Sequence, residues 1–225
     1  MNKLPKEALN PQNPFTTFDL KFSSAEQAAL DEMNINYTKS YDNFGNLTAL
    51  KNETKEFLKS LGQSDAGQIE IISNLITNLV NTVISSFEKA TAWVTIRASL
   101  TTDTWDLPRW HTDGYYYAPY SGEQYKAVIT LKGPGSLFYP LPNELRQQFN
   151  SLQLNPDNRA IIAKLLDPAK AISIDIKKGV IFIVGADYAA VHSEPPIHES
   201  RLFLSIVPGS KTEIDELYKN WHSEK

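Results

Sequence analysis

The sequence predicts a mixed fold, mainly β with α (α+β), in which helices come first and a sandwich or barrel of short strands follows. Three observations carry this. Between about Gln68 and Ala90, Ile69, Ile72, Ile76, Leu79, Val83 and Phe87 recur at steps of three and four, the apolar stripe of a helix that faces a core. From Thr91 onward the apolar period drops toward two, in short runs separated by Gly, Pro and Lys-rich turns. Such closely spaced strands favour a sandwich or barrel over βαβ units.

The order of elements follows from the same rules. Pro5, Pro11 and Pro14 leave residues 1–23 irregular, with Phe15, Phe18 and Phe22 pinning the segment to the body. Residues 24–33 read as a short helix capped by Ser23 or Ser24. Ile35–Tyr37 and Leu47–Leu50 read as strands about an Asn43–Asn46 turn, and residues 52–61 as a helix stopped by Gly62. Strands are expected in TAWVTIRASL, YKAVITLKG, SLFYPL, AISIDI, GVIFIVG, AAVHS and RLFLSIVPG. A helical insertion is expected at 142–168 and a closing helix after residue 210. The chain is therefore read as one domain over 1–225: a helical extension at 1–90, a β core at 91–210 and a terminal helix at 211–225.

Composition limits the function classes. The 225 residues are 41% apolar and 21% charged, ordinary for a globular protein. With no Cys, a disulfide scaffold, a thiolate zinc site and a cysteine nucleophile are excluded. A net charge of -4 disfavours a phosphate-driven nucleic-acid partner. No signal peptide and no run of about 18 apolar residues is found, so no membrane partner is expected and the expected location is cytoplasmic.

The chemistry concentrates around the histidines. In an extended segment residues i and i+2 face the same way, so His111 and Asp113 of His-Thr-Asp-Gly can converge on one point. His192 ends the apolar strand region GVIFIVGADYAAVH and joins them if its strand pairs beside His111. Two imidazoles and a carboxylate on one face of an octahedral ion are the ligand set of non-haem Fe(II) oxygenases. Arg201, nine residues after His192, opens an apolar strand, where a guanidinium needs an anion. Each residue also has a plainer reading. Asp113 could cap a surface turn, His192 could be a hydrogen-bonded strand-end histidine, and Arg201 could pair with Glu199 or Glu194. Arg109 and Trp110 on one side, and Tyr115 and Tyr117 on the other, either wall a substrate pocket or pack on a sheet. Trp93 and Trp105 are assigned to the core, and His198 and His222 to solvated positions.

His111-x-Asp113, a distal His192 and Arg201 nine residues on, all set on short strands, resemble the Fe(II)/2-oxoglutarate-dependent dioxygenases over about residues 91–210. The resemblance implies a double-stranded β-helix (jelly roll) carrying the N-terminal helical layer. It implies His111, Asp113 and His192 as iron ligands, and Arg201 as partner of the distal carboxylate of 2-oxoglutarate. No catalytic side chain beyond the ligands is called for. Many members have Ser two residues after the Arg, where this chain has Phe203, so the second cosubstrate contact is left unassigned, with Thr130 and Tyr139 on neighbouring strands as the candidates to fill it. VITLKGPGSLFYPLP and HSEPPIHESRLFLSIV also resemble an uncharacterised bacterial family of small cupin-like proteins. The resemblance implies Fe(II) and 2-oxoglutarate as cofactors and hydroxylation of a small molecule or a protein side chain. The alternatives are a cupin-like metalloenzyme that does not use 2-oxoglutarate and a non-catalytic binding protein on a jelly-roll scaffold.

Overall fold

A computed structural model of the chain describes residues 4–223. Two antiparallel sheets carry the fold. The strands of the larger are β1 (Phe15–Asp19), β2 (Lys39–Phe44), β3 (Thr91–Ser99), β4 (Gln124–Lys132), β7 (Lys178–Val184) and β9 (Arg201–Gly209), in the order β1-β7-β4-β9-β3-β2. The smaller sheet holds β5 (Leu137–Tyr139), β6 (Ile172–Ser173) and β8 (Val191–Ser193), in the order β6-β5-β8. Two isolated bridges, Thr102↔Ile197 and His111↔His192, lay the segment 102–111 alongside residues 192–197, from β8 into the loop after it. From β3 onward the chain therefore passes back and forth between the two sheets.

Period-two alternation decides what each face of the larger sheet meets. Ala92, Val94, Ile96 and Ala98 of β3, Ala127, Ile129 and Leu131 of β4, and Leu202, Leu204 and Ile206 of β9 share one buried cluster with residues of three helices. Those helices are α1 (Ser24–Asp31), α2 (Leu47–Lys59) and α3 (Ala66–Ser86). The α3 stripe of Ile69, Ile72, Ile76, Leu79 and Val83 is buried in that cluster, and Asp65 caps the helix by accepting from the Gly67 and Gln68 amides. The other face of the sheet turns Val128, Val180, Phe182 and Val184 toward Phe138 of the smaller sheet. Helices α4 (Asn143–Leu152) and α5 (Arg159–Leu165) pack Phe149 and Ile162 against Trp110, Tyr139 and Val191. Helix α6 (Lys211–Ser223) packs Ile214 and Leu217 against Trp93 and Val207. Among the described residues no helix is long and apolar enough to cross a membrane.

Three local expectations are corrected. The segment 1–23 is not wholly irregular, because Phe15–Asp19 pairs with β7 as an edge strand, with Phe18 buried in the helix-packed cluster and the Phe15 ring tilted against that of Phe138. Leu47–Leu50 is the first turn of α2 rather than a strand: the Asn46 side chain accepts from the Ala49 amide, a helix cap that outweighs the apolar pair Leu47 and Leu50. Ile35–Tyr37 is not a strand either, since pairing with β3 begins at Lys39.

Candidate metal centre

His111 and His192 are brought together by the backbone. They face each other in an antiparallel bridge, His111 N–H donating to His192 O at 3.0 Å and His192 N–H to His111 O at 2.9 Å. On its other side His192 is paired with Phe138 of β5. Asp113 follows His111 by two residues, and its own carbonyl accepts from Gly185 N–H at 2.9 Å, just past the end of β7. Thr112 between them is held by the Gln153 side chain, which accepts from its amide at 2.8 Å.

One ligand atom from each of His111, Asp113 and His192 lies within 4.8 Å of the others, a group that could hold a metal ion. Their orientation follows from the neighbouring carbonyls. His111 Nδ1 is 2.7 Å from Arg109 O, and His192 Nδ1 is 3.2 Å from Ala190 O. A carbonyl can only accept, so each Nδ1 donates and each Nε2 of the neutral ring carries a lone pair. Both Nε2 atoms point toward Asp113, at 3.8 Å from Oδ1 for His111 and 3.5 Å from Oδ2 for His192, too far for direct hydrogen bonds.

Charge states sharpen the picture. Burial, with His111 beside it, pushes His192 down to about 3, and burial also lowers His111. Both rings are therefore neutral near pH 7. Burial works against the Asp113 carboxylate, but Lys126, joined by His192 and His111 once acid charges them, outweighs it and holds its carboxyl well below the usual carboxylate range. Lys126 Nζ lies 2.9 Å from Asp113 Oδ2 and donates also to the Tyr116 hydroxyl at 3.1 Å. Three sets of lone pairs thus converge with no proton between them, an arrangement that a divalent cation satisfies.

The group opens into a cavity of about 250 Å³ whose lining includes Arg97, Trp105, Arg109, Lys126, Ser136, Glu194, Arg201 and Phe203. Arg201 is 5% exposed. It donates from Nε to Pro134 O at 2.8 Å and from Nη2 to Ser136 Oγ at 3.0 Å and Thr130 Oγ1 at 3.4 Å, and it lies 4.4 Å from the Phe203 ring centroid. Burial draws its guanidinium down to about 10, which leaves it charged at neutral pH. Among the described residues it has no carboxylate within ion-pair distance. Glu194, one of its expected partners, is bound through both oxygens to Arg109 instead, at 2.7 and 3.4 Å.

The remaining expected site residues divide. Thr130 touches Arg201, and Arg109 lines the cavity. Tyr139 is not at the site: its ring lies under the helical insertion, and its hydroxyl accepts from the Asp167 amide at 3.0 Å. On a three-residue strand one residue faces inward and the next outward, and here Phe138 takes the inward place. Trp110 is likewise packed edge-on against Tyr139. Tyr117 is buried in the α6 cluster with its hydroxyl on Pro208 O, and Tyr115 donates to Gly122 O against the Gly185 backbone, so neither lines the cavity. Trp105, expected in the core, instead lines the cavity, with the Arg109 and Arg159 guanidiniums 5.7 and 5.5 Å from its ring centre. Lys126 and Ser136 were missed. The inward register of Lys126 is that of Val128 in YKAVITLK, a signal that the strand pattern already contained.

No family model matches the chain, and no curated protein matches it. Among solved structures it is similar to HygX from Streptomyces hygroscopicus, determined with nickel and 2-oxoglutarate bound, at 10% identity over 93% of this chain and 88% of that one, TM-score 0.47. It is also similar to a Pseudomonas putida prolyl-4-hydroxylase, at 11% identity over 86% and 95% of the two chains, TM-score 0.40. A third similarity is to the rice dioxygenase for auxin oxidation, at 9% identity over 88% and 74%, TM-score 0.46.

Proposed function

We propose that the chain is a single-domain double-stranded β-helix that works as an Fe(II)/2-oxoglutarate-dependent oxygenase, hydroxylating a small molecule or a protein side chain. The observation that carries this reading is the pairing of two unmet demands in one cavity. The Nε2 lone pairs of His111 and His192, which converge on the Lys126-paired carboxylate of Asp113, call for a cation, and the buried guanidinium of Arg201 calls for an anion. A divalent ion and a dicarboxylic 2-oxo acid answer both. The alternation of strands between two sheets from β3 to β9 supports the same fold reading.

Bound there, Fe(II) with 2-oxoglutarate and dioxygen supplies oxidative decarboxylation of the cosubstrate to succinate and CO2, with one oxygen atom passed to a substrate C–H bond. The chain's own part is positioning. His111, Asp113 and His192 would hold the ion on one face and leave the opposite face to ligands. Arg201, steadied by Pro134 O and the Ser136 hydroxyl, would receive the far carboxylate. Lys126 orients the Asp113 carboxylate, and Tyr116 in turn accepts from Lys126. Phe138 and Phe182, with ring centres 5.6 and 4.9 Å from that of His192, keep water from the back of the imidazole.

The test is succinate formation from 2-oxoglutarate by the purified, Fe(II)-reconstituted protein in air. Wild type yields succinate, and His111→Ala and Asp113→Ala fall to background while keeping the far-ultraviolet dichroism of wild type. A wild-type protein that makes none, or variants that make as much, overturns the assignment.

A further inference from the structure

The charge left over in the cavity points to the substrate. Four cationic side chains line it, Arg97, Arg109, Lys126 and Arg201, against two carboxylates, Asp113 and Glu194. Both carboxylates are taken, Asp113 by Lys126 at 2.9 Å and Glu194 by Arg109 at 2.7 Å. Two guanidiniums remain without a counter-ion among the described residues. One is Arg201, which the proposed cosubstrate satisfies. The other is Arg97.

Arg97 is placed by the fold, not by chance exposure on an outer surface. It lies on β3 between Thr95 and Ser99, on the face opposite the helix-packed Ile96 and Ala98. Its cross-strand partner on β9 is Phe203, and Ser99 pairs with Arg201 itself. Arg97 thus stands one inward position along the sheet from the residue opposite Arg201. It lines the same cavity as the His111, Asp113 and His192 group and is open to solvent there. A divalent ion and a dianionic cosubstrate cancel each other and leave this side-chain excess uncancelled.

We infer that Arg97 forms a second anion subsite, which docks a carboxylate or phosphate group of the substrate beside the metal centre. This rests on the oxygenase reading above and narrows it to an anionic substrate. The cavity of about 250 Å³ is small for a ligand pocket, so it takes the cosubstrate and the reactive end of the substrate. The planar Arg97 fork pairs two oxygens of one oxyanion, and Ser99 and Trp105 lie on the same lining.

The experiment is calorimetric titration of the Mn(II)-loaded protein, first with 2-oxoglutarate and then, at saturating 2-oxoglutarate, with benzoate, phenyl phosphate or the uncharged benzamide. At least one of the two anions is expected to bind about tenfold or more tighter than benzamide, weakening with added salt. Arg97→Gln is expected to remove that preference and to leave 2-oxoglutarate binding within about twofold of wild type. A preference for benzoate marks a carboxylate substrate and one for phenyl phosphate a phosphate substrate. The inference is overturned if 2-oxoglutarate binds but neither anion outbinds benzamide, or if Arg97→Gln binds the anions as wild type does. Failure of 2-oxoglutarate to bind counts instead against the oxygenase reading.

Discussion

His111 and His192 are direct cross-strand partners whose ring centres lie 4.3 Å apart, so the register of one antiparallel bridge sets the spacing of two imidazoles. A slip of one residue would turn either ring to the opposite face. The ring nitrogens are aimed by carbonyls of the same strands, those of Arg109 and Ala190, each two residues before its histidine. Sheet pairing therefore builds most of the centre before any ion arrives.

Arg201→Gln keeps hydrogen-bonding capacity toward Pro134 O and removes the charge. The half-saturating concentration of 2-oxoglutarate in the succinate assay should rise about tenfold or more, in line with roughly 1.5–3 kcal/mol for a hydrogen bond to a charged group. Metal content should not change. An unaltered half-saturation would show that the guanidinium does not meet the cosubstrate.

Lys126→Met leaves the buried Asp113 carboxylate without its close cation. Breaking a buried pair costs about 3–5 kcal/mol. The metal-free variant should melt roughly 6–20 °C below wild type, from about 2–4 °C per kcal/mol in a chain this long. Saturating Mn(II) should recover much of that loss, because the ion replaces the missing charge. Differential scanning calorimetry with and without Mn(II) checks this, and an equal deficit in both conditions would contradict it.

Gly133 turns the chain between β4 and β5 with φ +80°, and a Cβ there would stand 2.5 Å from Ser200 O. The same turn presents Pro134 O to Arg201. Gly133→Ala should destabilise the fold by at least about 1 kcal/mol and displace the Arg201 anchor. Urea unfolding reads the first effect and 2-oxoglutarate titration the second.

Much of this fold was legible. RLFLSIVPG is β9 residue for residue, because an apolar run from Leu202 to Val207 broken only by Ser205 and closed by Pro208-Gly209 admits few other readings. The α3 stripe was equally plain. Convergence of His111, Asp113 and His192 followed from i, i+2 geometry plus one strand pairing. Side-chain direction on short or irregular segments was not legible. Nothing local says that Phe138 faces inward and Tyr139 outward on a three-residue strand, or that Trp105, in an aperiodic stretch, lines a cavity rather than the core. The paired roles of Lys126 and Gln153 depend on neighbours that only tertiary packing supplies.

Glu70 on α3 binds both Lys51 and Lys55 of α2, and those hydrogen bonds lower its carboxyl from 4.5 to about 2. A carboxyl depressed in the folded state stabilises it above the unfolded value, and that contribution is lost as pH falls from about 4.5 through 2. Glu70→Gln should therefore be less stable than wild type at pH 7, with the difference vanishing near pH 2. The effect is small because the pair is solvent-exposed. Urea midpoints measured across that range check the sign, and a difference that grows on acidification would contradict it.

The most direct test is metal stoichiometry by plasma emission after loading with Fe(II) under argon and removal of free ion, for wild type and His192→Ala. One equivalent per chain in wild type, falling below a tenth in the variant, is the expected result. A wild type that retains no metal, or a variant that retains as much, contradicts a centre built from His111, Asp113 and His192.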